Sequence, residues 1–126
     1  MTIMEAILRA TELGGTGYSD EHKLGWLSTL DARVRCEILD THEGGDADVS
    51  LPYDASTDAA RELLVPPPFD TIYERYMEAQ IHYYNGDVER YNNAAALFNE
   101  AWAAFAAHYN RTHLPRTRAM RYRLGG

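Results

Sequence analysis

Between His42 and Asp48 the chain gathers one imidazole and three carboxylates, Glu43, Asp46 and Asp48, around the pair Gly44-Gly45. Oxygen donors on a glycine turn are the chemistry of a hard cation such as calcium. The loop lacks the D-x-[DN]-x-[DN]-G order and the distal bidentate glutamate of a calcium loop, so it reads as a solvated acidic loop. His108 and His113 stand five apart across an expected helix end, and His82 belongs to another helix. None of these has the four-residue spacing that aims two imidazoles at one zinc. Cys36, between Arg35 and Glu37 in a helical pattern, is the single cysteine; it suits a reducing compartment and reads as a semi-buried structural thiol. No serine or cysteine has a local base, no glycine-rich loop can cradle phosphate, and no carboxylate pair stands in a general acid–base arrangement. The expectation is a protein that is not an enzyme and uses neither cofactor nor metal.

Nine tyrosines in so small a chain invite the idea of an aromatic ligand box, but most of them fall at packing positions. Val88, Tyr91, Ala95, Phe98, Trp102, Phe105 and Tyr109 alternate steps of three and four, which puts them on one stripe of a helix. Upstream, Phe69, Ile72, Tyr76, Ala79 and Tyr83 form a second stripe, and only Asn85-Gly86 separates the two. The spacing predicts two helices facing each other across a tight turn, with Val88, Phe98, Trp102 and Phe105 in the core. Asn92, Asn93 and Asn110 beside the stripe read as capping or exposed amides.

The elements before this pair carry their own start and stop signals. Thr2-Ile3-Met4-Glu5 is a capping box, and Ile3, Ile7 and Ala10 follow on one face of a short helix that should end near Leu13, at Gly14-Gly15. Ser19-Asp20-Glu21 offers an N-cap and two acids to a second helix reaching about Thr41, with Leu24, Leu27, Leu30, Val34 and Ile38 inward. Trp26 lies off that stripe, so it lines a second contact or faces a partner. From 43 to 68 the helical pattern gives way to a long irregular loop, in which Val49-Ser50-Leu51 and Leu63-Leu64-Val65 are candidates for a small β-ribbon. Asp70 and Asp87 are expected to cap the third and fourth helices, and Pro115 forbids much more helix. The fold expected is all-α, a four-helix bundle in one domain over 1–115, followed by a basic arm over 116–126.

Charge separates these two parts. The formal net charge is -7, yet the last eleven residues hold Arg116, Arg118, Arg121 and Arg123 and no acid, leaving the other 115 residues at -11. An acidic body argues against sequence-independent binding of nucleic acid, which needs lysine and arginine along the phosphates. The arm reads either as a solvated end or as a segment that docks on an acidic surface. No apolar run approaches the roughly 20 residues of a membrane span, and the N-terminus has no signal-peptide pattern, so a cytosolic site of synthesis is expected.

A likeness carries the reading further. The block Leu64-Val65-Pro66 with Tyr73, the run from Ala79 through Tyr83-Tyr84-Asn85-Gly86-Asp87 to Asn92-Asn93, then Leu97-Phe98-Asn99 and Tyr109 to Pro115, resembles small proteins of tailed-phage and prophage structural modules, the head–tail connector or adaptor family. Ser19 to Leu27 and Thr41 to Gly44 fit the same pattern. The resemblance implies a helical bundle that assembles as a ring, usually of twelve copies, beneath the portal protein and above the tail-completion protein. It places the chain in the virion, and in the host cytoplasm during assembly, with DNA passing through the ring without specific binding. It implies no catalytic residue and makes the arm, through Arg116, Arg118, Arg121 and Arg123, the candidate partner-binding segment together with Trp26. Outside that family, a small bacterial helical regulator or protein-interaction module fits the same composition.

Overall fold

The capping box at the N-terminus forms as its residue types require. Thr2 Oγ1 accepts from the Glu5 N–H at 3.2 Å and Glu5 Oε1 accepts from the Thr2 N–H at 3.0 Å, which starts helix α1, Ile3–Glu12. Ile3, Ala6, Ile7 and Ala10 are its buried face. The chain reverses through Gly14, at φ +104°, and a single 3₁₀ turn, Gly15–Gly17. At Gly15 a Cβ would lie 2.7 Å from the Ala10 carbonyl oxygen, so only glycine lets the turn close against α1. A computed structural model of the protein describes residues 1–44 and 50–115; the arm over 116–126 lies outside them.

Helix α2, Asp20–Val34, is capped by Ser19 and buries Leu24, Leu27, Leu30 and Val34. It does not stay α-helical to Thr41 but widens into a π-turn, Arg35–Leu39, that still turns Ile38 inward. The wider ladder is closed by side chains: His42 Nδ1 lies 2.7 Å from the Ile38 carbonyl, and Thr41 Oγ1 donates to the same oxygen at 2.9 Å. His42, expected in a solvated acidic loop, is therefore buried, and its Nε2 meets the side-chain amide of Asn110 at 2.6 Å.

The long connection holds a short helix α3, Ala55–Asp58, and among the described residues no strand. Of the expected ribbon, Val49 lies outside the described residues. Leu63, Leu64 and Val65 spend their N–H groups elsewhere: on the Met1 carbonyl at 3.0 Å, on Asp31 at 3.2 Å and on the Tyr73 hydroxyl at 2.8 Å.

Helices α4, Thr71–Asn85, and α5, Val88–Thr112, are the expected antiparallel pair, joined through Gly86 at φ +75°. Asp87 caps α5 as expected, accepting from the Arg90 N–H at 3.1 Å. Asp70 does not cap α4; its carboxylate accepts instead from the Met1 amino group at 3.3 Å. The stripes need correction at the turn. Val88, in the first turn of α5, is 70% exposed and lies beside His82 and Tyr83 at the turn rather than in the core. Helix α4 buries more than one stripe, Ile72, Tyr73, Met77, Ala79 and Ile81, since it packs against α1, α2 and α5. The fold is all-α, and no described helix is long and apolar enough to cross a membrane.

Candidate interaction surface

Asp31 is the one acid wholly enclosed by the core, at 0% exposure among the described residues. It stands in α2 at the spacing of Leu27, Val34 and Ile38, so helix geometry turns it inward. Three donors meet it: the Tyr53 hydroxyl at 2.5 Å, the Tyr73 hydroxyl at 2.6 Å and the Leu64 N–H at 3.2 Å. One turn back, Ser28 Oγ accepts from the Tyr53 N–H at 2.9 Å and donates to the Leu24 carbonyl. Burial pushes the Asp31 carboxyl above the usual carboxylate range, against its hydrogen bonds, and burial raises both tyrosine hydroxyls further above theirs. Such a carboxylate invites a catalytic reading. Its oxygens are taken by fixed donors and it is wholly enclosed, so its work is to fasten the connection to α2 and α4.

The surface that packing does not account for lies elsewhere, at the end of the α4–α5 pair around the turn that joins them. Trp26 of α2 stacks on Tyr84 of α4, with ring centroids 5.9 Å apart and planes 14° from parallel. Tyr18 leans on both, and its hydroxyl donates to Asn85 Oδ1 at 2.6 Å. The series continues outward from Tyr84 to Tyr83, 5.1 Å away, and from Tyr83 to Tyr91 of α5 at 5.6 Å. Tyr83 and Tyr84 are 59% and 58% exposed, so two large aromatic faces stand in solvent beside Val88. Isolated exposed apolar residues are ordinary, but a contiguous group marks a contact surface.

Two hollows flank this aromatic series. One, of about 610 Å³, is a cleft between α2 and α4 with Gly25, Trp26 and Thr29 on one side, Tyr76, Gln80 and Tyr84 on the other, and Glu21 and His22 at its rim. The other, of about 300 Å³, is a mostly apolar dimple at the turn, formed by Tyr83, Val88 and Tyr91 with His82 and Asp87. One turn along α2 from Thr29, the Arg33 guanidinium lies 4.6 Å over the Trp102 ring and pairs with Glu37 at 2.9 Å.

Of the residues singled out from sequence, Trp26 is 6% exposed, forms a contact within the chain and lines the cleft. Arg116, Arg118, Arg121 and Arg123 lie outside the described residues, as do Asp46 and Asp48 of the acidic loop. Among the described residues no three His, Cys, Asp or Glu side chains gather as metal ligands. His82, His108 and His113 stand half-buried at the rim, His113 stacked on Tyr109 with centroids 3.8 Å apart. Cys36, expected to be semi-buried, is instead exposed on the π-turn. Stripe spacing does not show Tyr83 and Tyr84 as a surface pair, although two consecutive tyrosines cannot both face one core, and that is the signal the sequence holds. No family model, no curated protein and no solved structure matches this chain.

Proposed function

We propose that the chain is a structural subunit of a tailed-phage particle, a head–tail connector that joins the portal to the tail and works by assembly rather than by catalysis. The observation that carries this reading is the exposed aromatic series. Tyr83, Tyr84 and Val88 fall inside the stretch that resembles connectors, and each is more than half exposed, Tyr84 even while one side of it covers Trp26. A surface of that kind is what an obligate neighbour covers. The charge distribution supports the same reading, since an acidic body turned toward a ring lumen repels passing DNA, while a basic arm suits an acidic partner. In this proposal the four longer helices form the bundle of each subunit, the ring holds about twelve copies as the resemblance implies, and the portal and tail-completion proteins lie above and below. The test is co-sedimentation of the purified chain with portal rings from the same genome. The reading expects the chain to travel with the rings, and to lose them when Tyr83 and Tyr84 are both changed to serine. A chain that never leaves the top of the gradient, or a genome neighbourhood without portal and capsid genes, would sink it.

A further inference from the structure

The cleft between α2 and α4 has a composition that selects a particular ligand chemistry. Tyr84 stacks on Trp26 yet is 58% exposed, Gln80 offers an amide, and Glu21, beside Asp20 in the first turn of α2, lines the same cleft. An aromatic face next to a carboxylate is a site for guanidinium, which gains a cation–π contact and an ion pair together. The molecule already makes one such arrangement farther along α2, where Arg33 lies over Trp102 and pairs with Glu37. The cleft floor is open as well: a Cβ built on Gly25 meets nothing within 4 Å.

The chain carries its own guanidinium donor, since Arg116, Arg118, Arg121 and Arg123 follow Pro115 with no acid among them. Where the described chain ends decides whose cleft they fill. Pro115 pairs with His42, which bonds to Asn110 near the C-terminal end of α5, whereas Tyr84 and Glu21 lie at the other end, beside Tyr83 and its neighbour Tyr91. From Tyr91 to Asn110 α5 rises about 28 Å. Arg116 and Arg118, one and three residues past Pro115, gain at most about 11 Å of backbone and cannot reach the cleft of their own chain; Arg121 and Arg123, six and eight residues past it, gain at most about 22 and 29 Å and would come near it only with every intervening residue fully extended, a limit that the cleft of a second copy does not impose. We propose that the arm over 116–126 docks in the α2–α4 cleft of a second copy, arginine against Tyr84 and Glu21, and so links subunits head to tail. A contact of this heterologous kind, repeated around a closing rotation, generates a ring. The inference rests on the assembly reading above for its second copy.

Light scattering on the full-length chain across concentration tests it. Two variants are informative: Gly25→Leu, which plugs the cleft from an open helix position, and the fourfold Arg→Gln change at 116, 118, 121 and 123, which leaves the described fold untouched. The wild type should rise above its 14.3 kDa monomer mass. Each variant alone should associate at least about tenfold more weakly, with helical circular dichroism retained. Mixed, the two should pair, because the first still has its arm and the second its cleft. Association that neither change weakens, variants that stay apart when mixed, or a wild type that remains monomeric while the arm changes alter the fluorescence of Trp26 in a Trp102→Phe background would each overturn the inference. Failure here with portal binding intact would leave the connector reading standing; arm-dependent self-association with no affinity for portal would keep the arm contact and remove the connector reading.

Discussion

Asp31 concentrates the energetics of this fold at one residue. Tyr73 both donates to Asp31 and accepts from the buried Val65 N–H, so Tyr73→Phe strands two partners, whereas Tyr53→Phe strands one. Urea unfolding should show Tyr73→Phe costing about 2–3 kcal/mol and Tyr53→Phe about 1–2 kcal/mol; equal costs would mean that the Val65 bond contributes nothing. Because the folded carboxyl is raised above its unfolded value, the native state binds the proton more tightly than the unfolded chain does. This contribution to stability is full below about pH 4, the unfolded value, and is lost as pH rises through the raised folded one. Asp31→Asn should therefore flatten the decline of the urea midpoint above pH ~4, and an unchanged slope would contradict the assignment. The inward position of Asp31 is legible from its spacing in α2. Its partners are not, because Tyr53 and Leu64 reach it along an irregular connection whose path no periodicity encodes.

At the scale of elements, local signals carry most of the architecture. The Thr2–Glu5 box, the Ser19 and Asp87 caps and the Gly86 turn depend on side-chain types at fixed offsets, and each forms as its residues require. The departures from expectation have a common cause, competition from tertiary partners. Asp70 turns to the Met1 amino group, His42 closes the π-turn, and the Leu63–Val65 backbone bonds to side chains and to Met1 instead of to a ribbon. Val88 fails as a core residue because it sits at the turn between the paired helices, where only the exposed Tyr83 side of α4 stands beside it. Two glycines, one within α2 and one at the end of α4, should respond oppositely to alanine. Gly86→Ala forces a Cβ into the left-handed conformation and should cost about 1–2 kcal/mol. Gly25→Ala adds a Cβ to open space within α2 and should raise stability by about 1 kcal/mol through helix propensity. Thermal melts followed by circular dichroism check both signs.

For the whole molecule, the division that matters is between an acidic helical body and a basic arm, with an aromatic surface at one end of the body. Composition makes the charge division legible at once. The surface is not legible in the same way, since the stripe containing Tyr83 also contains buried residues, and only the end of the helix pair distinguishes exposed from covered positions. If subunits join arm to cleft, self-association should weaken with added salt, as ion pairs between exposed groups do; light scattering at low and high ionic strength would read this, and association indifferent to salt would argue for the aromatic dimple alone. A chain that completes a particle by stacking on a portal should be visible there by electron microscopy. Portal rings incubated with excess purified chain should gain a ring of density on one face, absent with the Tyr83→Ser, Tyr84→Ser double variant; portal rings that stay bare at saturating concentrations of the wild-type chain would rule the proposal out.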